Sequence, residues 1–167
     1  MKDGRFQGGG CEEFQEFRKE TSLRRVLPNS SPSMGQTWCY IPKADDEGID
    51  LIVKEKGILK SLYIQVKSRF GDDFSQPFTA SVKEQSAGDN HSMAFVFCLF
   101  DTAKGDIHDF VWFVPAPAFI QKAPKDKNGL LHFVSGKNKE DGNKWDDFRI
   151  DKRDLAGEVK KQLKRIS

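Results

Sequence analysis

The run Met93-Ala94-Phe95-Val96-Phe97-Cys98-Leu99-Phe100 contains no charged or amide side chain. A strand sends successive side chains to opposite faces, so an uninterrupted apolar strand needs apolar cover on both sides. The run therefore predicts a central strand in a sheet that is covered on both faces. A chain of 167 residues is long enough to build such a layered core as one domain, without disulfide or metal staples. A hydrophobic fraction of 37% beside 31% charged residues fits a soluble globular protein. No apolar run approaches the roughly 20 residues of a membrane span, so no membrane partner is expected. Residues 1–10 read as a flexible N-terminal segment, polar and broken by Gly8-Gly9-Gly10, with no apolar signal core. Residues 11–167 then form the single domain. Cys11, Cys39 and Cys98 are odd in number and scattered, with neither zinc nor disulfide spacing, which implies a reduced, cytoplasmic setting. The net charge of +2 does not advertise nucleic acid, so any basic surface must come from local clustering.

Around this central strand the pattern predicts a helix from Cys11 to Leu27, a strand over Thr37 to Ile41, and a hairpin from Asp50 to Lys67. A helical segment is expected over Phe78 to Gln85, a strand over Phe110 to Val114, and a helix from Pro115 to Lys122. Leu130 to Val134 reads as a further strand, and residues 135–144 as a polar loop. Leu155, Val159, Leu163 and Ile166 fall at helical spacing among lysines and arginines, which predicts a C-terminal amphipathic helix covering the sheet. The expected fold class is α/β, a central mixed β-sheet flanked by helices.

The hairpin carries the chemistry. Gly48-Ile49-Asp50-Leu51-Ile52-Val53 leads through Lys54-Glu55-Lys56-Gly57 to Tyr63-Ile64-Gln65-Val66-Lys67-Ser68. The period of two puts Tyr63, Gln65 and Lys67 on one face and Leu62, Ile64 and Val66 on the other. A turn near Gly57-Ile58 places Asp50 opposite Gln65. One carboxylate, one amide oxygen and one ammonium then converge, a set able to hold a divalent cation and a phosphate. Magnesium takes oxygen ligands and keeps several waters, so Asp50, Gln65 and the backbone carbonyl of Val66 suffice as protein donors. Lys67 is placed to orient or deprotonate the attacking water, or to offset charge on the phosphorane.

The order Asp50, hairpin, Gln65-Val66-Lys67 resembles the active-site signature of the restriction-endonuclease-like, PD-(D/E)XK, nuclease superfamily. Gly48-Ile49-Asp50 with Ile64-Gln65-Val66-Lys67-Ser68 is most similar to the branch with modification-dependent restriction enzymes and relatives of Holliday-junction resolvases. The resemblance spans roughly residues 37–70 and is architectural over 90–120. It implies a restriction-endonuclease-like core and hydrolysis of DNA phosphodiester bonds with Mg2+ or Mn2+. Asp50 and Gln65 become metal ligands and Lys67 the catalytic lysine. Gln65 stands where many relatives have glutamate, which leaves the site one negative charge short. That departure keeps open an alternative, a catalytically inactive nuclease fold that binds nucleic acid or protein. Related nucleases often add a glutamate from the first helix; of Glu12, Glu13, Glu16 and Glu20, Glu13 shares a helical face with Phe17 and is the choice here.

Ser68, Arg69 and Lys83 are the nearest candidates for contacting DNA, RNA remaining an option, and a homodimer is the expected route to double-strand cleavage. His91, His108 and His132 have no metal-like spacing and read as structural or surface residues. No Gly-x-Ser-x-Gly elbow supports serine chemistry. Trp145 reads as a packing residue.

Overall fold

In the computed structural model the described residues are 37–42, 48–55, 59–71, 75–87, 91–136 and 143–166. The expected flexible segment 1–10, the helix over Cys11 to Leu27 and Glu13 lie outside them. The architecture is mixed α/β, built on one six-stranded sheet with strand order β1-β2-β3-β5-β6-β8. These strands are β1 (Thr37–Tyr40), β2 (Leu51–Glu55), β3 (Ser61–Gly71), β5 (Met93–Asp101), β6 (Asp106–Pro115) and β8 (Arg149–Asp151). Only β3 and β5 pair in parallel; the other neighbours are antiparallel. A separate antiparallel pair joins β4 (Phe78–Lys83) to β7 (Leu130–Ser135). The helices are the short α1 (Glu84–Ala87), α2 (Ala116–Lys122) and α3 (Leu155–Ile166).

Every residue of β5 is buried, as its apolar run requires. Its two sets of side chains enter two different cores. Ala94, Val96, Cys98 and Phe100 join Leu51, Val53, Leu62, Ile64 and Val66 under α3, whose Leu155, Val159, Leu163 and Ile166 point inward. The lysines and arginines of α3 are left to its outer side, so the amphipathic reading holds. Gln162 is also buried, and its Nε2 donates to the carbonyl of His91 at 3.0 Å, tying the helix to the start of β5. On the opposite face Phe95 and Phe97 join Phe78, Trp112, Phe119, Phe133 and Trp145 in an aromatic core beneath α2 and the β4–β7 pair. Phe97 stacks on Phe133 with ring centroids 4.0 Å apart. Trp145 is buried against Phe119 and Phe133, a packing residue as expected.

Among the described residues one helix, α3, therefore covers one face, whereas the cover of the other combines the β4–β7 pair with α2. The expected helical segment over Phe78 to Gln85 is corrected accordingly: Phe78–Lys83 is a strand, and the helix begins only at Glu84. Its burial alternates, with Phe78 and Val82 inward and Thr79, Ser81 and Lys83 exposed, the period of a half-buried strand. The Phe110 to Val114 strand is longer than expected, Asp106–Pro115, and Pro115 caps α2 rather than opening it. Among the described residues, no helix is long and apolar enough to cross a membrane.

Candidate functional site

Antiparallel pairing of β2 and β3 sets Leu51 opposite Ile64 and Val53 opposite Leu62. The ladder extends one step further, since the N–H of Asp50 donates to the carbonyl of Ile64 at 3.0 Å. Asp50 thus stands beside Gln65, as the hairpin reading expects. Its side chain then enters the ladder: the N–H of Val66 donates to Asp50 Oδ2. A charged acceptor makes a stronger hydrogen bond than a neutral carbonyl, so this contact pins the carboxylate to the strand that carries Gln65 and Lys67. Val66 meets Asp50 through its N–H, while the expectation for Val66 concerned its carbonyl.

Gln65 and Lys67 lie on the aromatic-core face of β3, in register with Phe95 and Phe97 of β5. Gln65 is not displayed to solvent as the simple alternation suggests; it is 6% exposed. Its Oε1 is buried and has no hydrogen-bond partner among the described residues. An unpaired buried carbonyl oxygen costs roughly 1–3 kcal/mol, so it marks a place where a donor or a cation belongs. The amide is held by a close approach of the backbone at Gly48. A Cβ built on Gly48 would lie 2.4 Å from Gln65 Nε2, and φ there is +69°. Both facts demand glycine, which gives the Gly48-Ile49-Asp50 entry its physical reason.

A cleft of about 340 Å³ opens over these residues, lined by Gly48, Gln65 and Lys67 on one side and by Ser81, Lys83, Ser86 and Leu130 from the second sheet and α1. Among the described residues, two ammonium groups and no carboxylate line it, a setting that favours an anion with several oxygen atoms. Among the described residues, no three His, Cys, Asp or Glu side chains come together in a way that could hold a metal ion. Side-chain oxygens in the lining come from Gln65, Ser81 and Ser86, and the Asp50 carboxylate stands beside Gln65. The orphaned Oε1 fits a hard divalent cation, which prefers oxygen ligands.

Of the residues expected to contact nucleic acid, Lys83 lines the cleft. Ser68 is in register with Cys98 on the α3 side of the sheet, away from Gln65 and Lys67. Arg69 follows Lys67 on the cleft side of β3, but its Nη1 donates to the carbonyls of Gln76 and Pro77 at 3.3 and 3.0 Å, bracing the connection into β4. His108 packs against Phe110, with ring centroids 4.5 Å apart. Sequence reasoning did not single out Ser81 or Ser86, which line the cleft, and it read His132 as a structural or surface residue. Ser81 Oγ lies 3.0 Å from His132 Nδ1, and His132 Nε2 lies 3.3 Å from Asp126 Oδ2. Ser81 and His132 are 51 positions apart in the chain, and no local spacing signals that pairing. Asp126 is held below its usual carboxylate value, first by the N–H of Leu130, then by Asn128 and His132, with partial desolvation opposing.

Sequence comparison with protein-family models and with curated proteins finds no match.

Proposed function

We propose that this chain is a divalent-metal-dependent endonuclease of restriction-endonuclease-like fold that hydrolyses DNA phosphodiester bonds. The observation that carries the reading is the buried, unpartnered Oε1 of Gln65, in a cleft shared with Lys67 and beside Asp50. Asp50 and Gln65 would hold Mg2+ or Mn2+, and the bound cation supplies Lewis-acid stabilisation of the phosphoryl oxygens and a lowered pKa for water. Val66 N–H fixes the Asp50 carboxylate. The Lys67 ammonium orients the attacking water and offsets charge growing on the phosphorus oxygens. Lys83 gives the phosphate a second cationic contact within the cleft. One chain carries one such centre and cuts one strand; a twofold homodimer supplies the second cut. RNA meets the same cleft chemistry and belongs beside DNA in the assay.

A second reading, a nuclease fold that binds nucleic acid without cutting it, is favoured by the single formal charge that Asp50 and Gln65 provide together. Plasmid nicking separates the two. Supercoiled plasmid with Mg2+ or Mn2+ is expected to be nicked by the wild type and protected by EDTA. Lys67→Ala is expected to slow nicking by about 10²–10³-fold, the usual effect of removing a charge-stabilising donor. Equal nicking by Lys67→Ala rejects the assignment. Plasmid retention on a gel without nicking, at every metal concentration, supports the second reading.

A further inference from the structure

We propose that Ser81, His132 and Asp126 form a proton relay on the β4–β7 wall of the cleft, delivering a proton to the leaving oxygen of the cleaved phosphodiester. The inference rests on the nuclease reading above and adds residues to it. Ser81 is the member that lines the cleft with Gln65 and Lys67. Directly across the second sheet it pairs with His132, and its Oγ is 3.0 Å from Nδ1. The other ring nitrogen, Nε2, faces Asp126 Oδ2 at 3.3 Å. Asp126 is rigid, because its Oδ1 accepts from the N–H groups of Asn128 and Leu130 at 2.8 and 2.9 Å. An ionised carboxylate at Nε2 keeps a proton there, so the state of Nδ1 decides what Ser81 offers the cleft. With His132 neutral, Nδ1 accepts the Ser81 hydroxyl. With His132 protonated, Nδ1 donates to Oγ and the hydroxyl hydrogen turns towards the cleft.

The step balances. Water oxygen bonds to phosphorus and the bond from phosphorus to the leaving ester oxygen breaks. That oxygen takes the hydroxyl proton of Ser81, Ser81 takes the Nδ1 proton of His132, and the imidazole is left neutral, keeping its proton on Nε2, which faces the Asp126 carboxylate. The attacking water releases its proton to solvent, and solvent recharges His132. Among the described residues, Asp126 is in direct contact with His132, Lys83 lies two positions along from Ser81 on β4, and Lys125, opposite Leu131, is paired with Glu84 at 2.7 Å. Ser81 is thus the group that meets substrate, and His132 and Asp126 act through it.

The test uses the full chain, Ser81→Ala, Ser81→Thr and His132→Gln on two oligonucleotides, one with a normal phosphodiester and one whose bridging leaving oxygen is sulfur. A thiolate leaves without a proton. Ser81→Ala and His132→Gln are expected to lose about 100-fold on the oxygen ester, the lower end of general-acid contributions, and little on the sulfur ester. Ser81→Thr is expected to retain cleavage, and the fall in wild-type rate with rising pH should vanish in His132→Gln. Equal losses on both substrates would mean a structural role and overturn the relay. Imidazole nitrogen NMR gives a readout independent of activity: the neutral ring should carry its proton on Nε2, and the Nδ1–H tautomer would overturn the relay. Lys67-dependent cleavage with normal Ser81→Ala rates removes the relay alone. No cleavage by the wild type, of either substrate, removes the nuclease reading and the relay with it.

Discussion

The two faces of the six-stranded sheet are built from the same strands and do different work. Under α3 the core is continuous from β2 through β6, and its side chains are mostly aliphatic. On the other face the core is aromatic and rests on β5 and β6. There β3 presents Gln65, Lys67 and Arg69 instead of apolar side chains, and the cleft opens where the aromatic cover ends. The difference teaches where a site can be placed. Among the described residues one amphipathic helix, α3, covers the first side, and on the other the neighbouring strands carry polar groups. The second layer, made of two strands and short helices, leaves a gap beside β3 and lines it with its own lysine and serines.

The comparison can be broken most forcefully in the cores. Phe97→Ala removes a fully buried ring stacked on Phe133, and denaturant melts are expected to show a loss of about 3–5 kcal/mol. Leu163→Ala in α3 is expected to cost about 2–5 kcal/mol. Their effects on cleavage per folded molecule should part: Phe97 shares its register and face with Lys67, so its loss should slow cleavage, whereas Leu163→Ala should leave the rate alone. Equal rates in the two variants would show that the faces are not functionally separate.

Two glycines sharpen the contrast at a smaller scale. Gly48→Ala must place a Cβ against the Gln65 amide and adopt a left-handed backbone, costing about 1–2 kcal/mol from the backbone alone. It should also weaken Mn2+ binding measured by calorimetry. Gly157, in α3, has nothing within 4 Å of a built Cβ, and Gly157→Ala should stabilise the fold by about 0.5–1 kcal/mol in thermal melts. A Gly48→Ala variant with unchanged metal binding would detach the amide from the proposed site.

The smallest effect is expected from acid. The carboxyl of Asp126 is depressed in the folded state, chiefly by the Leu130 N–H. Its contribution to stability is therefore present above the unfolded value of about 3.9 and lost as pH falls through the lower folded value. Asp126→Asn should flatten stability against pH below about 4, while leaving the α3 side unaffected. An unchanged acid limb in the variant would show that the carboxylate is not held by the turn.

Local pattern carried much of this fold. The unbroken apolar run of β5, the helical spacing of Leu155, Val159, Leu163 and Ile166, and the two-residue period of β3 each act through neighbours in the chain. The hairpin expected from two strand-like runs close in sequence is seen in the pairing of Leu51 with Ile64 and Lys54 with Ser61, which sets Asp50 beside Gln65. Phe78–Lys83 was harder, because a strand so short, ending in Lys83-Glu84-Gln85, has as much helical as extended character until a partner claims it. That partner is β7, and Arg149–Asp151 becomes a strand only because β6 offers it an edge.

Sequence alone therefore determined which residues share a face: Gln65 with Lys67, Leu62 with Ile64 and Val66, and the buried stripe of α3. Backbone periodicity makes that so in any fold that keeps the strand and the helix. Tertiary structure decided what those faces meet. It buried Gln65 against Gly48, turned Ser68 away, set Arg69 to bracing a loop, brought Ser81 and Lys83 to one wall of the cleft, and put His132 behind Ser81. Such placements depend on pairing between distant strands, whose closeness comes from a shared aromatic core rather than from any spacing along the chain.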